Sequence, residues 1–293
     1  MRRQEWHELP EAVRLVVIEQ CGDVAKVEPP HAGRNSPFVA TLHLARGGRV
    51  FCKGVPTADA RTHRREAAVN PLLPPTAPRL LWEIETAGWL LLGFEHVDGR
   101  HAHLEPDSPD LPLVAATLSE MSRTLTPCRP PGVPAYSAKI LAARGWRRLL
   151  DDPPPSLPPW TRENLSDFAD IEATATQSLA GDSLQHTDLH EQNILVGTTA
   201  HVIDWAWVHT APPWADTAFL VIRLIQAGHD PLHAEQWAQT IDAWRAAPAD
   251  SVTAFAVAVY GLWEHLRHAH PLPIRQAPTR AAQRWAQWRT GND

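Results

Sequence analysis

Lysine is scarce: Lys26, Lys53 and Lys139 are the only three in 293 residues, and arginine supplies the remaining positive charge. A lysine kept inside an apolar strand is therefore conspicuous, because a compact ammonium and a planar guanidinium are not interchangeable at a tight site. Cysteine is equally thin. Cys21, Cys52 and Cys128 are widely scattered, which excludes a disulfide framework and a CxxC metal pattern and points to a reducing compartment. No run approaches the roughly 18 apolar residues of a membrane span. Glu5, His7 and Glu8 interrupt the N-terminal stretch where a signal peptide is apolar. No internal repeat or low-complexity tail is visible. These absences predict a cytoplasmic protein with no membrane partner.

What is present bounds the answer further. A hydrophobic content of 44% can fill a sizeable core spread over two lobes. The formal net charge is -6, which advertises no nucleic-acid partner. The acidity is local: from Arg162 onward there are 15 acidic and 8 basic side chains, a net of -7 that leaves about +1 for everything before. An acidic C-terminal half suits a cationic ligand, and it suits an ordinary solvated surface equally well.

Up to residue 95 the pattern reads as short strands at 25–27, 38–44, 49–55, 82–84 and 89–94, with one main helix from Thr57 to Val69 that Pro71 ends. After Asp98-Gly99 the character changes. Helical spacing covers 111–125, 137–150 and 161–179, two short β-type runs surround a polar loop within 184–208, and helices fill the rest from Trp214. The expectation is an α+β protein with a small β-rich lobe over 1–95 and a larger helical lobe over 96–293.

The most informative stretch is LQHTDLHEQNILVGTTAHVID, residues 184–204. A short run ends at His186-Thr187-Asp188, Asn193 follows, and Gly197-Thr198-Thr199 turns one strand into another that ends at Asp204. A hairpin of this length brings Asp188, Asn193 and Asp204 toward one point. Phosphoryl transfer needs such a set: hard cations held by oxygen, and a carboxylate to orient the attacking hydroxyl. Asn193 and Asp204 would hold Mg²⁺, and Asp188 would accept the proton of the substrate.

H-x-D-L-x-x-x-N followed by a strand-borne Asp resembles the protein-kinase signature. The form HTDLHEQNILV…HVIDW is more similar to the aminoglycoside phosphotransferase family, the antibiotic and choline kinase-like branch, which commonly shows HGDLHxxN and IDW. That resemblance implies a bilobal protein-kinase-like fold and ATP or GTP as co-substrate. It makes Asp188 the catalytic base, Asn193 and Asp204 metal ligands, and His186 and Asp216 supports of the catalytic loop. Two departures stand out: Thr187 occupies the usual glycine position, and Trp205-Ala206 replaces the Phe-Gly of protein kinases.

The other parts follow in order. The run Val50-Phe51-Cys52-Lys53 ends in a rare lysine, matching the phosphate-gripping lysine of kinases. On the next helix, at about 100° per residue, Arg61 and Arg64 fall opposite Glu66, so Glu66 faces inward toward Lys53. Gly33, Asn35 and Ser36 lie where a nucleotide-covering loop belongs, although the segment lacks GxGxxG, and Glu95 and Val97 lie where a hinge binds adenine.

By the same resemblance the acceptor is a small hydroxylated molecule, an aminoglycoside or another antibiotic, with a choline- or homoserine-type metabolite kinase as the alternative. Two other classes compete. His186-x-Asp188-x-His190 suits a metal-dependent hydrolase, and the same shape would serve a non-catalytic nucleotide-binding regulator. Trp207 and Trp214 are candidates for the floor of an acceptor pocket.

Overall fold

The computed structural model describes residues 3–30 and 36–291. Its first helix, α1 (Glu11–Cys21), is one the sequence pattern does not announce, because its apolar residues are crowded into one run and Pro10 precedes it in place of a side-chain cap. Val13 and Val17, four apart and so on one face, are fully buried, whereas Leu15 is exposed.

Five strands follow: β1 (Val24–Glu28), β2 (Phe38–Leu44), β3 (Arg49–Pro56), β4 (Leu80–Thr86) and β5 (Trp89–Glu95), with α2 (Arg61–Val69) between β3 and β4. They form one antiparallel sheet in the order β1-β2-β3-β5-β4. Alternation along the central strands sends side chains to two cores. Val50, Cys52 and Leu91 join α1 on one face, and Val55, Leu90, Leu92 and Phe94 pack with Ala60 and Ala67 on the other. Each fully buried leucine in that second layer contributes about 2 kcal/mol. Lys53 alternates with Cys52 and therefore projects on the α2 side.

Thr57 does not cap α2. It opens a separate short turn, Thr57–Asp59, its hydroxyl donates to Gly88 O at 3.3 Å, and Ala60 occupies the cap position. α2 ends just ahead of Pro71, which cannot supply a helical N–H.

The chain continues through β6 (Arg100–His101) and α3 (Leu111–Thr124). The single helix expected over 137–150 is two, α4 (Tyr136–Ala143) and α5 (Gly145–Asp151), because Arg144 turns left-handed at φ 47°. Gly145 lies so close to the backbone of Gly261 that a Cβ there would sit 2.5 Å from Gly261 O. The helix expected over 161–179 likewise divides at Asn164 into α6 (Pro159–Glu163) and α7 (Leu165–Ser178). Next come β7 (Ser183–Gln185), the hairpin β8 (Ile194–Val196) and β9 (Ala200–Val202), then β10 (His209–Ala211), which pairs with β7. Helices α8 (Ala215–Gln226), α9 (Pro231–Ala238), α10 (Asp242–Arg245), α11 (Ala249–Ala269) and α12 (Gln276–Arg289) complete the chain. α11 is the spine of this helical part, packing on α5, α7 and α12. No helix among the described residues is long and apolar enough to cross a membrane.

Contacts divide the molecule into two compact units, Met1–His101 with Gln192–Trp207, and Ala102–Glu191 with Val208–Asp293. A cut at 95/96 would leave 192–207 with the helices. They fold with the sheet-bearing unit because β8 pairs antiparallel with β6, and Val202 N–H donates to Thr76 O at 2.8 Å.

Candidate active site

In the first unit, β3 delivers Lys53 and α2 delivers Glu66. Lys53 Nζ donates to a Glu66 carboxylate oxygen at 2.6 Å and to Asp204 Oδ1 at 2.9 Å. Lys53 is 5% exposed and Glu66 2%. The helical phase explains the meeting: Arg61 and Arg64 are exposed, and Glu66 on the opposite side is inward. Glu66 also accepts the Trp205 N–H at 3.0 Å, so one carboxylate fastens both the lysine and the residue that follows Asp204. Burial works against the Lys53 ammonium, but Asp204 and Glu66 outweigh it and hold its pKa above the ordinary lysine value.

Asn193 and Asp204 flank the open end of the β8–β9 hairpin. Asn193 immediately precedes β8, Asp204 follows β9 by two residues, and Ile203 N–H donates to Asn193 O at 3.0 Å. Asp204 sits at φ 64°, a left-handed conformation that Asp tolerates better than most residues. The donors offered here are an amide oxygen and a carboxylate, hard ligands of the kind Mg²⁺ takes in small number from protein. The donor chemistry fits that ion.

His63, one turn before Glu66, was not singled out by the sequence. It is 4% exposed, and its Nε2 lies 2.8 Å from Ser36 Oγ, which fastens α2 to the segment ahead of β2. Burial first, and then the Lys53 charge, push its pKa down to about 4. The signal was available: His63 and Glu66 are three apart and share a face. Gly33 and Asn35 lie outside the described residues. The Glu95 carboxylate accepts the Arg79 N–H at 3.2 Å. Glu95 and Val97 line a depression of about 500 Å³ with Pro78, Leu81 and His201, and none of Lys53, Glu66, Asn193 and Asp204 lines it.

In the second unit, the loop carrying Asp188 is braced from α8. The Asp216 carboxylate accepts the His186 N–H at 2.7 Å and the Thr187 N–H at 2.8 Å, and Asp216 N–H donates to Gln185 Oε1 at 2.9 Å. Asp216 is 3% exposed, and burial lifts its pKa to about 6 against those two bonds. Thr187 adopts φ 58°, costly for a β-branched residue, and its hydroxyl is 2.8 Å from His209 Nδ1. His186 is fully buried and its Nδ1 accepts the Asp188 N–H at 3.2 Å, so that ring nitrogen serves the backbone. No three His, Cys, Asp or Glu side chains gather into a metal-holding group among the described residues. Trp214 is buried against Phe255, which takes it out of any pocket floor, while Trp207 is exposed.

A β3 lysine locked to a helix glutamate and a strand-end aspartate, with an asparagine across the hairpin, defines the class: a phosphotransferase of protein-kinase-like fold. The comparisons agree. The model of the phosphotransferase enzyme family matches residues 27–249, and the chain belongs to that family.

An aminoglycoside phosphotransferase from Alicyclobacillus acidocaldarius superposes with a TM-score of 0.63 at 17% identity, over 99% of this chain and 95% of that one. The GDP complex of aminoglycoside 2'-phosphotransferase-IIIa gives 0.62 at 18% identity over 96% and 99%. Aminoglycoside phosphotransferase APH(3'')-Id from Streptomyces rimosus, bound to ADP and streptomycin, gives 0.56 at 20% identity over 87% and 99%. At these identities the likeness is one of fold. Among proteins with curated descriptions, no sequence matches this chain.

Proposed function

We propose that this protein transfers the γ-phosphate of ATP or GTP to a hydroxyl of a small, antibiotic-like molecule. The observation that carries the reading is Lys53 Nζ bonded to both Glu66 and Asp204, groups 13 and 151 residues away in sequence. A buried ammonium fixed between two carboxylates is positioned to receive a polyphosphate without reorganising. Asn193 and Asp204 would hold Mg²⁺, which when bound supplies neutralising charge to phosphate oxygens. Asp188 orients the acceptor hydroxyl and takes its proton. The acceptor oxygen forms the new P–O bond as the bond to the leaving diphosphate breaks, and ADP or GDP departs. Ser36 and the backbone at Glu95 and Val97 contribute to nucleotide binding.

The bound ligands of the relatives, ADP with streptomycin and GDP, support a nucleotide co-substrate and an antibiotic-type acceptor. The test is an ADP-release screen across antibiotics, amino alcohols and hydroxylated metabolites, with detection of the phosphate adduct by mass. Asp188→Ala should lower kcat by roughly 10³-fold with nucleotide affinity retained. Turnover close to wild type in that variant would falsify the assignment.

A further inference from the structure

Two cations stand within electrostatic reach of Asp188, and the mechanism above uses neither. Lys139, one of three lysines in the chain, rises from α4 with its Nζ 5.4 Å from the centre of the Tyr136 ring. That ring packs edge-on against His209, 5.5 Å between centres, and His209 is bonded to Thr187, the residue before Asp188. From the other direction, Arg223 of α8 donates through Nε to Leu189 O at 3.4 Å, the residue after Asp188. Its guanidinium lies 5.1 Å over the Trp263 ring. Both cations feel the Asp188 charge, and Arg223 feels Glu191 as well.

Both side chains are half-buried. Among the described residues neither has a carboxylate within ion-pair distance, although ion pairs of that kind hold Lys53, Arg147, Arg267 and Arg289. Burial holds both ammonium and guanidinium below their ordinary pKa ranges, with Asp188 pulling the other way. Drawing a cation out of water with no close counter-ion is unfavourable, and an arrangement of two such cations around one reacting carboxylate is suited to a ligand that brings negative charge. A polyamine acceptor entering here would meet like charge twice, which disfavours it.

We propose that the acceptor carries an anionic group, a carboxylate, beside the hydroxyl that is phosphorylated, and that Lys139 and Arg223 bind it. This rests on the phosphotransfer reading and narrows its acceptor class, away from polycationic aminocyclitols and toward hydroxy acids or zwitterionic hydroxy compounds. The nucleotide is a poor alternative source of the negative charge, because the proposed function assigns its phosphates to Lys53 and to the metal that Asn193 and Asp204 would hold. The aromatic faces of Tyr136 and Trp263 keep the two cations in place and apart from each other's elements.

The test measures binding and turnover separately. Matched sets are used, each comprising an ω-hydroxy acid, its primary amide and the amino alcohol of equal length, with a polycationic aminocyclitol alongside. Calorimetric titration of the full-length protein in millimolar ligand should show the acid of a set binding at least about tenfold tighter than its amide, since a charge-assisted hydrogen bond is worth that much. Lys139→Met and Arg223→Met should each erase most of that preference, and Lys139→Arg should keep it, which guards against a variant that merely misfolds. Equal binding within sets, tighter binding of the amine or aminocyclitol, no binding of any acid, or a preference unchanged in both methionine variants would overturn the proposal. ADP release decides the phosphotransfer reading independently. Turnover of amines without acid preference removes only the anion site, and acid binding without ADP release from any compound removes only the transfer chemistry.

Discussion

Replacing Asp216 by asparagine should move stability and turnover in opposite directions. In the fold, burial holds the Asp216 carboxyl at about 6 instead of the ordinary 3.8, and that net rise already includes the bonds from Thr187 and His186. Between those two values the folded state binds more protons than the unfolded chain, so stability falls as pH rises. The contribution is complete below about pH 4 and is lost as pH passes about 6, a change of about 3 kcal/mol.

Asparagine is neutral throughout and never bears that cost. Urea midpoints measured from about pH 4 to pH 7.5 should therefore drift downward in the wild type relative to Asp216→Asn, by up to about 3 kcal/mol in stability. Catalysis responds to a different property. A carboxylate accepts from both the His186 and Thr187 N–H groups, whereas an amide accepts one and presents an N–H to the other. The left-handed turn at Thr187, itself costing about 1–2 kcal/mol, then loses half of its brace. Asp188 is displaced, and a misplacement of that order lowers kcat about 10²-fold. Parallel pH curves for the two proteins, or a variant less stable than wild type at neutral pH, would refute the reasoning.

Three further outcomes are expected. Lys53→Met removes the ammonium that the buried Glu66 and the half-buried Asp204 both face, so it should weaken nucleotide binding at least tenfold and destabilise the first unit by about 3 kcal/mol, measured by nucleotide titration and urea unfolding. Asp204→Asn keeps the size of the proposed metal ligand and removes its charge, so the Mg²⁺ concentration giving half-maximal ADP release should rise by about tenfold or more, with chelation silencing wild type and variant alike. His63→Gln should raise the nucleotide KM several-fold and leave acceptor KM unchanged, because the bond lost is the one to Ser36; an unchanged nucleotide KM would dissociate that pair from the phosphate end.

Most of the sheet was legible because its strands alternate or run apolar between clear turns, and β2 matches residue for residue. The meeting of Lys53 and Glu66 was legible as well, since strand alternation and helix phase each fix one side chain's direction. The helix α1 was not, because a run of β-branched residues beside a proline reads as neither period. The breaks at Arg144 and Asn164 were missed because a single residue leaving helical φ and ψ changes no hydrophobic pattern. At Thr187 local preference and structure conflict: the left-handed backbone there is imposed by Asp216 and His209, residues far along the chain. Lys139 and Arg223 were visible only as a rare lysine and as a lone cation in an otherwise apolar helix. Their convergence on one loop is a tertiary fact.

The β8–β9 hairpin is covalently bounded on both sides by the helical unit yet folds with the sheet. A polypeptide ending at His101 would keep Lys53 and Glu66 but lack Asp204, leaving β6 without its neighbouring strand. Lys53 and its two acids are thus not carried on a continuous N-terminal cassette: a break after His101 severs the lysine from Asp204, and the three must be inherited on one stretch that reaches past residue 204.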